Sequence, residues 1–543
     1  MATRALALDL GSSSVRALVF EASGPSDLSA VPGALARRPR QLVSLAPGQA
    51  TFDGASYFSD LVSCLDELHG HGYLDGVGDV ALSCQWHSVL AVGRDTRPRS
   101  EVVSWADTRP SRSLPKCTDE DLEALRQRTG CAFAPMYWTW RVPWLHDVLG
   151  ADGAGASSFR FVGLSEYVGL KLLNDPSMSV SMASATGLLS TSERKWDDEA
   201  VHLAGLKAEE LPQLAAPDWA GQLTGDWARR WPELAAARWH PATGDGAAAN
   251  LGVGCDVPSR AAMTIGTSAA VRSVAIDEGQ PLPALPTGLW RYCVDHRRTV
   301  TGAAYSSGGQ LYAWALALWE GSRPAEDDRG SMGGTGAANE ATGDVSSGPG
   351  GGQAPTGAEG SVPEGQVPAG NGPVRYDVDI PVGPGSDGVL VLPWHAGTRP
   401  PAPLVPSGRG AVVGLGLGHN GAHIVSAAVE AVCFQLASGL GYLEARSSQQ
   451  LEVVVNGGAI ERASWWRARL AATLERHLLC SRVPETTARG AVAAALGVEL
   501  GAGGVEGEMV EPMPHDVVAL ARARQRWSAC YEKLLPIATS QGP

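Results

Sequence analysis

The stretch LALDLGSSSVRALVF, residues 6–20, constrains the fold more than any other part of the chain. Two apolar runs flank a turn of one carboxylate, one glycine and three hydroxyls, which reads as a strand, a tight polar turn and a returning strand. Such a turn suits a phosphate. Gly11 lets the backbone approach an anion, Ser12, Ser13 and Ser14 can donate N–H and O–H groups to its oxygens, and Asp9 can hold a magnesium ion through water. The same residues also make an ordinary hairpin with a serine-rich loop, because small polar residues are what hairpin turns prefer.

AAMTIGTSAAVR, residues 261–272, repeats that logic: apolar strand, glycine-and-hydroxyl turn, returning segment with a basic residue. Two such hairpins in one chain suggest two related domains facing one nucleotide. The length of 543 residues allows two to four domains at a prior of ~150 residues each. A formal charge of -14 argues against nucleic acid and against an anionic membrane as partners. The nine cysteines are scattered singly with no metal-ligand spacing, as expected of reduced thiols in a cytoplasmic protein. The chain enters a strand within its first few residues, leaving no room for a signal peptide, and no apolar run is read as reaching the ~20 residues of a membrane span.

Between the hairpins, residues 25–40 read as a loop, 41–45 as a third strand, and 55–69 as a helix with one apolar face. Residues 80–92 read as two strands interrupted by a polar patch, Gln85 to Ser88, able to face a ligand; a histidine beside a tryptophan is also often structural. SWADTR, 104–109, carries Asp107 and Arg109, which can grip a polyhydroxylated ligand or pair with each other. In the aromatic run FAPMYWTWRVPWL, 133–145, the sole charge is Arg141, and the run is either a pocket wall or core. Asp245, between two glycines at the head of an alanine-rich helix, can be a catalytic base or a helix cap. Residues 320–373 are crowded with glycine, proline and small polar residues and read as a disordered insertion. A long, buried helix is expected over 421–447, a strand ending in a glycine turn over 451–459, and a final helix over 517–535.

In their order and spacing these blocks resemble the FGGY family of carbohydrate kinases. The carriers are DLGSSSVRA (9–17), QWHS (85–88), SWADTR (104–109), SMASATGLL (181–189), GDGAAANLG (244–252), TIGTSAAVR (264–272), SSGGQLYAW (306–314), PWHAGTRPP (393–401), GLGLGHN (414–420), NGGAIERASWW (456–466) and ETTARGAVAAA (485–495). The resemblance implies an α/β fold of two actin-like, ribonuclease-H-like ATPase domains with the active site in the cleft between them. Residues 1–247 would form the sugar-side domain and 248–543 the nucleotide-side domain. By motif, Asp245 is the expected base for the attacking sugar hydroxyl and Asp9 the magnesium-side carboxylate. Gly11, Ser12, Ser13, Ser14 and Arg16, with Gly266 and Thr267, are expected on the ATP phosphates, and Gly308, Gly309, Gly457 and Gly458 along the nucleotide. His87, Trp105, Asp107 and Arg109 are expected on the sugar.

Local wording resembles the gluconokinase branch most, which implies phosphorylation of D-gluconate to 6-phosphogluconate. An anionic substrate needs donors at its carboxylate, and Arg141, Arg109 and His87 are the candidates. The chain departs from that branch at Ala134-Pro135-Met136, Ser306, Ser307, Gly397-Thr398-Arg399 and Ala471-Ala472. Two other readings stay open: an FGGY kinase for a xylulose-like ketose or a polyol, and a catalytically weak sugar or nucleotide binder with a regulatory role. An actin-like assembly protein would share the hairpins but gives no reason for QWHS or SWADTR. The expected ligands are ATP, Mg2+ and a small sugar or sugar acid, and a homodimer is compatible with this reading.

Overall fold

The computed structural model describes residues 3–24, 26–112, 118–132, 134–151, 159–207, 210–277, 282–322, 375–394, 410–447, 449–501 and 505–539. Of the expected insertion, residues 320–322 end a helix, Gly309–Ser322, and the remainder lies outside the described residues, as do Gly397, Thr398 and Arg399.

Residues 6–20 form the expected hairpin. Strand Thr3–Leu10 pairs antiparallel with Ser14–Gly24, placing Asp9 opposite Arg16. The segment read as a loop is instead a third strand, Asp27–Pro39, on the edge of this sheet, and 41–45 contributes only an isolated bridge at Val43. Pro32 and Gly33 interrupt the register where the pairing jumps, a disruption that an edge strand tolerates. On the other side, Val77–Cys84 runs parallel to Thr3–Leu10 and carries Arg238–Trp239 and Thr243–Gly244 on its far edge. Helix Gly54–Gly70, capped by Asp53, buries Tyr57, Leu61, Cys64, Leu65 and Leu68 against the sheet.

The second sheet follows the same plan. Arg260–Ile265 and Ala269–Ile276 form the hairpin, Arg298–Tyr305 adds antiparallel to one side, and Glu452–Asn456 adds parallel to the other. The repeat seen in two short motifs thus extends to the strand order around each hairpin. Helix Gly421–Ser447 covers this sheet. It is long and apolar enough to span a membrane by length and composition, contrary to the expectation of no such run, and most of it is buried. Apolar residues all around a helix follow from burial on all sides.

Several contacts join the halves. Helix Asp245–Gly252 crosses helix Thr486–Leu496 so closely that a Cβ on Gly252 or Gly490 would overlap the facing backbone. Elsewhere Val274, Trp290, Tyr292 and Val300 of the second sheet pack into the core of the first half. The Arg126 guanidinium donates to the carbonyls of Leu285, Pro286 and Leu289, fastening the segment before strand Trp290–Cys293 to the first half.

Candidate active site

Strand Thr243–Gly244 ends beside Cys84, and the helix that follows begins at Asp245. Gly244, not Asp245, occupies the cap position, so capping does not explain the carboxylate. Its neighbours explain the glycines. The Trp86 indole lies so close to Gly244 and Gly246 that a Cβ at either would overlap it. Asp245 Oδ1 accepts the Gly246 N–H at 2.8 Å. Burial, with a smaller push from Asp9, raises the Asp245 pKa to about 6, against the pull of Gly246 N–H and of the Arg272 charge. A carboxylate tuned in this way can take a proton from a hydroxyl near neutral pH.

On one side of Asp245 lies the first hairpin. Asp9 is buried, accepts the Ser83 hydroxyl at 2.8 Å, and is paired with Arg16, which also pairs with Glu485. Gly11 and Ser12 are half-buried, Ser13 is exposed and Ser14 is buried. On the other side the second hairpin turns at Gly266 and Thr267, with Thr267 exposed. Gly309 N–H donates to the Gly266 carbonyl at 2.7 Å. A Cβ on Gly308 would stand 2.5 Å from the Ser268 backbone, and one on Gly457, at φ 111°, 2.5 Å from the Ile265 carbonyl oxygen. These glycines therefore converge on one turn because backbone meets backbone there. Gly458 opens the next helix, and a Cβ on Gly266 would meet nothing within 4 Å, so that face of the turn is open. Among the described residues no cluster of three or more acids, histidines or cysteines could cage a metal. Magnesium held by one or two carboxylates together with phosphates and water does not need one, and Asp9 fits that donor set.

The sugar-side residues are placed unequally. Of the Gln85–Ser88 patch, Gln85, Trp86 and Ser88 point inward and only His87 is partly exposed. His87 has a left-handed backbone, φ 68°, and its Nδ1 donates to the Ala185 carbonyl at 2.6 Å, which puts the proton of a neutral ring on Nδ1. Its ring meets Tyr137 and Tyr292 edge-on at 5.2 and 5.6 Å, and the two tyrosine hydroxyls share a 2.6 Å hydrogen bond. Trp105 is half-buried. Asp107 is buried and engaged by Arg109, with Nη2 to Oδ2 at 2.6 Å, and by the Ala50 N–H. Arg109 stacks over Trp144. This pair holds the 104–109 loop, as the ion-pair reading anticipates.

Arg141, expected at the substrate carboxylate, is enclosed. Its side chain is fully buried, and its guanidinium donates to the carbonyls of Pro135, His87, Val103 and Asp107. Burial lowers its pKa to about 9. In this structure it ties the His87 and Asp107 loops together and does not offer its charge to a ligand. The sequence reading missed four aromatic residues here. Trp86 and Tyr137 lay inside the quoted runs, but nothing in a one-dimensional pattern points strand Trp290–Cys293 of the second half at Trp86, where Trp290 and Tyr292 arrive at 5.8 and 4.9 Å.

Comparison with known proteins accords with this arrangement. Residues 4–252 match the N-terminal domain of the FGGY family of carbohydrate kinases and residues 261–497 its C-terminal domain. A gluconokinase from Bacillus subtilis (strain 168) is 26% identical over 428 residues, covering 76% of this chain and 72% of that protein. Two crystal structures from Lactobacillus acidophilus share the fold. A ligand-bound xylulose kinase has a TM-score of 0.80 at 18% identity with 99% of both chains covered. A gluconate kinase has a TM-score of 0.77 at 18% identity, again with 99% of both chains covered. With both family domains matched in order and the two-sheet architecture shared with solved sugar kinases, this chain belongs to the FGGY family of carbohydrate kinases.

Proposed function

We propose that this carbohydrate kinase transfers the γ-phosphoryl group of magnesium-bound ATP to the terminal hydroxyl of D-gluconate, with Asp245 as the base. The observation that carries the chemistry is the position and basicity of Asp245, a carboxylate raised to about 6 between two phosphate-type hairpins. In-line transfer asks the protein mainly for positioning and charge neutralisation. Asp245 orients the acceptor hydroxyl and takes its proton as the new P–O bond forms and the bond from the γ-phosphorus to the bridging oxygen breaks, releasing ADP. Asp9 serves the magnesium side; Gly11 to Ser14, Arg16, Gly266 and Thr267 serve the phosphates, and Gly308, Gly309, Gly457 and Gly458 border the nucleotide. His87 and Trp105 contact the sugar, while Asp107, Arg109 and Arg141 shape the loops that carry them.

Gluconate is favoured by the local motifs and by the likeness to the Bacillus subtilis gluconokinase. The likeness in fold to a xylulose kinase supports a neutral ketose as the second reading. We place the protein in the cytoplasm. The experiment is a coupled ADP-release assay over D-gluconate, D-xylulose, glycerol and D-glucitol with wild type and Asp245→Asn. The expected result is highest kcat/KM on gluconate and a kcat loss of ~10²- to 10⁴-fold in the variant with KM for ATP unchanged. Equal sugar-dependent turnover by the two proteins would remove the mechanism, and a clear preference for xylulose would replace the substrate.

A further inference from the structure

Each hairpin carries an arginine on its returning strand, opposite Asp9 in the first and opposite Ala262 in the second, and the two have different partners. In the first, Arg16 on the returning strand reaches Asp9 on the outgoing one, and Glu485 closes the pair, so the cation is neutralised twice. In the second, the residue that corresponds to Asp9, two before the turn glycine, is Thr264. Arg272 on the returning strand donates to its hydroxyl at 3.2 Å, and among the described residues this is its one hydrogen bond, with no ion pair. Five guanidinium N–H groups thus have one neutral acceptor.

Register fixes which way Arg272 faces. It lies opposite Gly302, and Gly302 lies opposite Trp290, so the three form one cross-strand row. A Cβ on Gly302 would stand 2.8 Å from Trp290 Cζ2 and 2.9 Å from Arg272 Cγ; the missing side chain is what makes room for both neighbours. Val274 and Val300, on the same sheet face, pack into the core of the first half, whereas Val271, on the opposite face, packs into that of the second. Arg272 is therefore on the face turned toward the first half. Trp290 meets Trp86 there at 5.8 Å, and Trp86 lies on the glycines flanking Asp245. Arg272 is partly exposed, and the acid whose charge it feels is Asp245.

Resting on the sugar-acid reading above, we propose that Arg272 binds the substrate carboxylate, and that the second half of the chain thereby selects an anionic acceptor over neutral polyols and ketoses. The other arginines near the site are placed otherwise: Arg16 sits on the first phosphate hairpin between two acids, Arg109 is paired with Asp107, and Arg141 is held by four carbonyls. A charge-assisted, forked contact from Arg272 matches a carboxylate in geometry and sign. Its place on the second half also makes acceptor recognition depend on how the halves meet.

The test compares wild type, Arg272→Met and Arg272→Lys on D-gluconate and on D-glucitol, its neutral counterpart lacking the carboxylate, with ATP titrated separately. Arg272→Met is expected to raise KM for gluconate ~10- to 100-fold, to leave KM for ATP unchanged, and to leave turnover of glucitol unchanged or higher. Arg272→Lys, which keeps the charge but not the fork, is expected to fall between them. An unchanged gluconate KM in both variants would overturn the assignment. So would an equal loss of kcat on gluconate and glucitol, which would mark Arg272 as a cation for the transferring phosphoryl group. A wild type without preference for gluconate over glucitol would instead defeat the sugar-acid reading, and is read before either variant is made.

Discussion

Asp245 shows how one residue's surroundings set its chemistry. Its pKa stands at about 6, above the ordinary carboxylate value, so the folded protein holds that proton more tightly than the unfolded chain does. For catalysis, kcat/KM for the sugar should rise with pH through a single ionisation near 6 and then level off. A pH–rate profile with no acid limb in that region would count against Asp245 as the base. For stability the sign reverses. The half-buried negative charge disfavours the native state above about pH 6, and the penalty fades as pH falls toward the ordinary carboxylate range. Asp245→Asn should therefore stabilise the protein at pH 8, on the order of 1 kcal/mol, with the gain shrinking by pH 5. Paired thermal melts at the two pH values would reveal this, and a variant no more stable than wild type at pH 8 would show the charge to be well solvated.

At the scale of elements, helix Asp245–Gly252 is located by what crosses it. Gly252 faces the Thr486 carbonyl and Gly490 faces Ala248, while Arg489 donates to the Gly252 carbonyl at 2.7 Å. A methyl group at 490 has no room except by separating the two helices, and overpacking against backbone costs more than against a flexible side chain. Gly490→Ala should lower stability by about 3 kcal/mol and reduce kcat as well, because Asp245 begins the helix that must shift. Urea unfolding with activity measured in parallel would test this; wild-type stability would mean that the crossing is looser than described. In the sequence, ETTARGAVAAA (485–495) is one of the motifs that carry the family resemblance. The close approach is what requires glycine at 490.

At the scale of the molecule, strand Trp290–Cys293 belongs to the second sheet but is shared with the first half. Arg291 N–H donates to the Gly130 carbonyl at 2.9 Å and Cys293 N–H to Ser184 Oγ at 2.9 Å, while the strand's other edge pairs with Arg298–Tyr305. Closure of the cleft around substrates, expected for water exclusion, has to pivot about such contacts and the helix crossing. Hydrogen exchange should then protect the 291 and 293 amides to the same degree as the first-half core, with or without gluconate and an ATP analogue. Exchange of these amides on the faster schedule of exposed loops would show that the shared strand opens and the pivot lies elsewhere.

Local rules made much of this legible. The hairpins, the helix at Asp245, the glycine turn after strand Glu452–Asn456 and the long apolar helix all follow from spacing, propensity and turn chemistry, which act over a few residues. The third strand over Asp27–Pro39 did not, because Pro32, Gly33 and its polar positions resemble a loop until a neighbouring strand supplies hydrogen bonds. Neither did the fates of the arginines. Arg141 and Arg272 are each a lone cation in apolar company in the sequence; one is enclosed by carbonyls and the other looks toward Asp245. Sequence by itself determined the repeated hairpin framework and the carboxylates at its centre. Only tertiary structure decided which charges are neutralised, because desolvation and pairing depend on groups that separate segments bring together, as Glu485 is brought to Arg16 and the His87 carbonyl to Arg141.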